Sequence, residues 1–160
     1  MATGSARRRL TRRWPTFLVG LTIAVGAGCG QPTPRPLVEG TDLCDHCHMT
    51  MVERRFGGEL VSVTGKVTPF DDIGCLAMGV IEADSSRIHS LWVSDFLEPD
   101  SLISVDRMVF LRSDSVRTPM SYGIVAVRPG PGADSLESAL GATRLVWADV
   151  VGWARAASTR

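Results

Sequence analysis

Leu91-Trp92-Val93-Ser94-Asp95-Phe96 returns late in the chain as Leu145-Val146-Trp147-Ala148-Asp149-Val150, and this echo organises the sequence around it. A similar series of elements precedes each copy. Ahead of the first, residues 59–63 alternate as a strand does, Gly65 supplies a turn, and residues 66–70 continue as a second strand. Asp71 or Asp72 then caps a helix through Glu82, and residues 87–93 read as a third strand. Ahead of the second copy, 108–111 and 122–127 read as strands, 134–140 as a helix and 144–147 as a strand. Asp149 caps a short closing helix with Val150, Val151, Trp153 and Ala154 on its apolar side. A ββαβ unit of roughly 50 residues leaves one sheet face bare when alone. The expected fold is therefore α+β, two related ββαβ units packed together over residues 41–160, divided at about 41–100 and 101–160.

The chain has 160 residues, 44% hydrophobic and 21% charged, which is ordinary for a globular protein. Its 17 basic and 17 acidic side chains cancel, but they are unevenly placed. Arg7, Arg8, Arg9, Arg12 and Arg13 crowd the start, and every acidic residue lies after position 38. The remainder is thus net acidic, which excludes a generic electrostatic binder of nucleic acid. Residues 17–28 carry no charge, and this run is shorter than the ~20 apolar residues that span a bilayer. A basic start followed by a short apolar run is the pattern of a secretory signal, assigned to residues 1–28. Its end, Gly26-Ala27-Gly28-Cys29, resembles a bacterial lipobox in which Cys29 is lipidated and becomes the mature N-terminus. Residues 29–40 include Pro32, Pro34 and Pro36 and read as an extended tether. An exported protein, lipid-anchored to a bacterial membrane and facing the periplasm, is the expectation.

Chemistry concentrates in Cys44-Asp45-His46-Cys47-His48-Met49-Thr50-Met51. Two thiols, two imidazoles and two thioethers within eight residues are all ligands for soft or borderline metals, and cysteine and methionine sulfur select Cu(I). Cys75 and Met120 lie downstream. A structural disulfide would account for one cysteine pair but not for the histidines and methionines beside it. Cys44-x-x-Cys47-His48 also matches the attachment sequence of c-type haem. Zinc held by Cys44, Cys47, Cys75 and a histidine is another reading. A thioredoxin-like pair would sit after a strand at a helix start, not after a proline-rich linker. No Ser-His-Asp set or paired catalytic carboxylates stand out, so a binding protein is expected, not an enzyme.

Taken together, Asp42-x-Cys44-x-x-Cys47-x-Met49, Phe70-Asp71-Asp72-Ile73-Gly74-Cys75, Trp92-Val93-Ser94-Asp95-Phe96 and Thr118-Pro119-Met120-x-x-Gly123-Ile124 resemble the NosL family. The resemblance covers nearly all of the chain after the signal. It implies a lipoprotein that binds Cu(I) and helps assemble the copper centres of nitrous oxide reductase. The partners it implies are the reductase apoprotein and the membrane maturation complex NosDFY, and the fold it implies is shared with the organomercurial lyase MerB. The ligands it implies are Cys44, Cys47, Met49 and Met120, with Cys75, His46 and His48 as further candidates. One departure is visible: glycine commonly precedes the motif methionine in that family, where His48 stands here. Asp71, Asp72, Asp95 and Asp149 read as caps or turns, and Met51, Met78 and Met108 as core. A c-type haem protein and a MerB-like carbon–metal lyase are the alternatives.

Overall fold

The computed structural model describes residues 31–159 together with Met1, so the stretch 1–28 expected to be a signal peptide, and Cys29, lie outside the described residues, apart from Met1. In the first sheet β1 (Gly58–Ser62) runs antiparallel between β2 (Val67–Phe70) and β3 (Ile88–Ser94), with helix α1 (Ile73–Glu82) connecting the outer two. A short strand, β4 (Leu102–Ser104), adds to the free side of β3. The second sheet repeats the plan: β5 (Val109–Arg112) lies between β6 (Ile124–Val127) and β7 (Thr143–Leu145), and α2 (Pro131–Leu140) connects those. Helix α3 (Trp147–Ser158) closes the chain. The ββαβ order therefore occurs twice. The two copies start at equivalent places, Leu91 of β3 opposite Leu60 of β1 and Leu145 of β7 opposite Phe110 of β5, but the first continues along β3 while the second passes into α3.

Two details differ from expectation. The last strand ends at Leu145, and Trp147 opens α3 instead of closing β7. The cause is Asp149: its Oδ2 accepts the Val146 N–H at 3.1 Å, drawing the chain into helix ahead of the aspartate itself. Strand β4 was not foreseen, because Leu102-Ile103-Ser104 is too short to show alternation.

A single apolar core spans both units. Ile73, Cys75, Leu76 and Ala77 of α1 are buried together with Leu60, Phe70 and Val93 of the first sheet, Phe110, Ile124 and Ala126 of the second, and Val150 and Ala154 of α3. On its other face the second sheet packs Leu111, Val125 and Val127 against Phe56 and Ala133 of α2. Strand β6 is consequently buried on both sides, which is why Ile124-Val125-Ala126-Val127 shows no polar alternation. Gly74, in the first turn of α1, lets the Tyr122 ring lie directly on the helix backbone; any side chain there would run into that ring.

The end of the proline-spaced segment is docked on the body. Leu37 is buried, and the Arg35 guanidinium donates to both carboxylate oxygens of Asp42 at 2.6 and 2.8 Å. Asp42 also accepts the Val38 N–H at 2.7 Å. The Arg35 backbone N–H donates to Glu59 Oε2 at 3.0 Å. Glu59 sits fully buried in the central strand, and its Oε1 has no hydrogen-bond partner among the described residues. Burial pushes its pKa up to about 7. Among the described residues no helix is long and apolar enough to cross a membrane.

Candidate metal centre

The chemistry-bearing loop hangs from a short hairpin. Gly40 N–H donates to the Met51 carbonyl at 2.9 Å, Met51 N–H to the Asp42 carbonyl at 2.8 Å, and Leu43 bridges Thr50. Cys44 N–H then donates to the Met49 carbonyl and His48 N–H to the Cys44 carbonyl, both at 2.9 Å, closing a tight turn through Cys47. That turn places His48 at φ +61°, in the left-handed region where glycine rests without a Cβ penalty. This accounts for the glycine usual at the corresponding position of the family that the motifs resemble. The His48 side chain is exposed. We expect His48→Gly to raise stability by roughly 0.5–1 kcal/mol in thermal melts and to leave metal affinity unchanged. A fall in affinity would make His48 a ligand after all.

Two contacts bring this loop to α1. Asp45 N–H donates to the Pro69 carbonyl at 3.1 Å, fixing the loop against β2. Asp72 caps the helix, accepting the Gly74 N–H at 2.8 Å through Oδ1. With the cap supplied by Asp72, Asp71 faces the loop, and Cys75 rises from the first helical turn beside it. The donor atoms of Cys44, Cys47, Asp71 and Cys75 then lie within 4.8 Å of one another. Cys44, Asp71 and Cys75 are at most 1% exposed, whereas Cys47 is half-buried and forms the opening. Cys47 donates its S–H to Asp71 Oδ1 at 3.4 Å.

The three sulfurs are electrostatically unequal. A hydrogen bond from the Cys75 thiol holds Cys44 down at about 6, well below its ordinary range. The same bond keeps the proton on Cys75, whose pKa rises accordingly. Burial, followed by the neighbouring Cys44, pushes Cys47 up to about 11. One thiolate hydrogen-bonded by its neighbours is the arrangement expected of a site that gives up its remaining protons as a cation enters.

The other sequence candidates are dispersed around this cluster. His46 turns away, with Nδ1 3.4 Å from Glu82 Oε1, beside a cavity of about 220 Å³ that Asp45, Thr68 and Gly79 also line. Met49 is 44% exposed and lines a second cavity, of about 240 Å³, with Phe56, Arg117, Thr118 and Pro119. Met120 is half-buried against the core that includes Cys47, and its backbone N–H donates to Asp72 Oδ2 at 3.1 Å. Met51, Met78 and Met108 are buried core residues, as expected. The sequence offers Asp71 only as an alternative cap. The signal available was Asp71-Asp72 itself, since one aspartate suffices to cap a helix and the second is free for other work.

Neither a family model nor a curated protein sequence matches this chain. A solved structure does. The crystal structure of the copper chaperone NosL from Shewanella denitrificans aligns with a TM-score of 0.64, covering 74% of this chain and 95% of that one at 17% identity. The fold is that of NosL. At this identity the likeness is one of architecture, and the repeated ββαβ plan read from the two Trp-Asp segments is that architecture. Within it the four-residue cluster gathers side chains from the 44–47 loop and the start of α1, both in the first unit. The second unit contributes the 118–123 loop, held by Asp72 and resting on Gly74 through Tyr122.

Proposed function

We propose that this chain is a Cu(I) carrier, and the observation that carries the reading is the convergence of three thiols on a NosL fold with one sulfur at the opening. Thiolates are soft donors, and a three-sulfur set suits Cu(I) better than the harder divalent ions. Cys44 and Cys75, fully buried, retain the cargo. Cys47 is the sulfur that an incoming ligand meets first, and Asp71 orients it through the thiol hydrogen bond. Met49 and Met120 supply neutral thioethers on neighbouring segments, adding affinity without further charge. Transfer proceeds by stepwise exchange, each donor of the recipient entering before a cysteine leaves, so that no free ion is released. The recipient in this reading is the apoprotein of nitrous oxide reductase, with NosDFY as the membrane maturation partner. The protein works outside the cytoplasm, anchored through lipid on Cys29 and facing the periplasm.

The test is an anaerobic titration of the reduced protein against a Cu(I) chelator, with X-ray absorption on the loaded form. One Cu(I) per chain in a sulfur-dominated shell is expected, and a shell of nitrogen and oxygen would overturn the reading. The alternatives separate in the same preparation. Covalent c-type haem needs both thiols of the motif at the porphyrin edge, whereas Cys44 is fully buried under the loop; the protein should be colourless. A carbon–metal lyase would cleave an organomercurial, and no turnover is expected.

A further inference from the structure

The cluster packs three reducible sulfurs into a space that a disulfide can also close. Cys44 and Cys47 stand across a tight turn, with the Cys44 carbonyl bound by His48 N–H and the Cys44 N–H bound to the Met49 carbonyl. Residues three apart across such a turn have Cα atoms within about 7 Å, the range that a disulfide spans. All three thiols are free, and their sulfurs lie within 4.8 Å of one another. Accessibility then decides which pair reacts. An external disulfide reaches only the half-buried Cys47, because Cys44 and Cys75 are fully buried. Cys75 is further constrained by its place in the first turn of α1, next to Gly74, on which the Tyr122 ring rests.

We propose that Cys44 and Cys47 form a reversible disulfide, and that the chain must be the product of a thiol–disulfide exchange with a dithiol reductant before it takes up its metal. The inference rests on the cysteine cluster being the Cu(I) site. In the oxidising direction the Cys47 thiolate attacks a disulfide R–S–S–R, forming Cys47–S–S–R and releasing R–SH once the thiolate's proton is counted. Cys44 then attacks the Cys47 sulfur and a second R–SH leaves. The two thiols have lost two electrons and two protons, both now on the two R–SH products. Oxidation removes two of the three thiol donors and leaves one, Cys75, beside the hard Asp71 carboxylate and the neutral Met49 and Met120 thioethers, a weaker set for Cu(I). Reduction by a dithiol runs the same steps backwards, entering at Cys47, the exposed sulfur of the bond. Loading is therefore the second of two steps, and the first is a reduction.

The experiment equilibrates the full chain in mixtures of reduced and oxidised glutathione, quenches with acid, alkylates under denaturing conditions and maps the cysteines by peptide mass. The expected result is one internal disulfide joining Cys44 and Cys47, with Cys75 alkylated. The isolated oxidised protein should bind Cu(I) at least roughly a hundred-fold more weakly than the reduced form, recovering after dithiothreitol. Cys47→Ser should form no internal disulfide in the same mixtures, and Cys75→Ala should form it as the wild type does. A Cys44–Cys75 bond in the wild type, a stable glutathione adduct on Cys47 without closure, or unweakened Cu(I) binding by the oxidised form would each overturn the proposal. Failure of the reduced protein to bind Cu(I) overturns the copper reading and the gating with it, while the mass map judges the disulfide alone.

Discussion

Replacing Cys75 with alanine is expected to weaken Cu(I) binding by more than the roughly 10–100-fold that loss of a supporting hydrogen bond costs a metal site. The sequence motifs place Cys44, Cys47, Met49 and Met120 first and leave Cys75 a further candidate beside His46 and His48. The structure sets its sulfur within 4.8 Å of the other three donors, and the Cys75 thiol is the largest influence lowering the pKa of Cys44. Removing it takes away one of three soft ligands and also the bond that lowers the pKa of Cys44. The fold should survive, since alanine keeps the helix and leaves a void of only one sulfur, a cost of about 1 kcal/mol. Chelator competition on the reduced protein, with thermal melts as the control, measures both quantities. Wild-type affinity in Cys75→Ala, alongside lost affinity in Met120→Leu, would return the ligand set to Cys44, Cys47, Met49 and Met120 and leave Cys75 as packing.

The second large effect concerns pH. Folded Glu59 has its pKa pushed up to about 7 from 4.5 by burial, partly offset by Arg35. Between those values the folded chain keeps a proton that the unfolded chain has lost, so stability falls as pH rises through the window. The shift corresponds to about 3 kcal/mol, fully expressed only above the folded pKa. Glu59→Gln should therefore melt several degrees above the wild type at pH 8, roughly 5–10 °C for a domain of this size, and match it near pH 4. The glutamine oxygen can still accept the Arg35 N–H. An unchanged pH slope in this variant would place the titration elsewhere.

Much of the scaffold was legible because its signals are local. The strand at 59–62, the turn at Gly65, where φ is +82°, and the Asp72 cap each follow from residues close by, although β1 is buried on both faces, Glu59 included, and does not alternate. The paired Trp-Asp segments are a different signal: their similarity marks the duplication across the chain, although beyond Leu145 the second copy is helix. The cysteine–aspartate cluster was only half legible, since its membership depends on contacts far apart in sequence. Nothing near Asp71 announces that Asp45 N–H will reach the Pro69 carbonyl and carry the cysteine loop over it. Nor does the C-x-x-C spacing reveal that His46 turns to Glu82 while Cys75 faces inward. Trp147 failed for a comparable reason: its strand-like neighbours are overruled by a carboxylate two positions later.

The docked Arg35 has a mechanical meaning. Any pull on the chain ahead of it passes first into the central strand through Glu59, and into Asp42 through the guanidinium, before it can reach Cys44 two residues further on. The arrangement works as strain relief does on a cable: a tug on the lead is taken up before it reaches the terminals. A load applied upstream of Arg35 is thus shared between the central strand and the Asp42 turn, and the cysteine loop keeps its geometry.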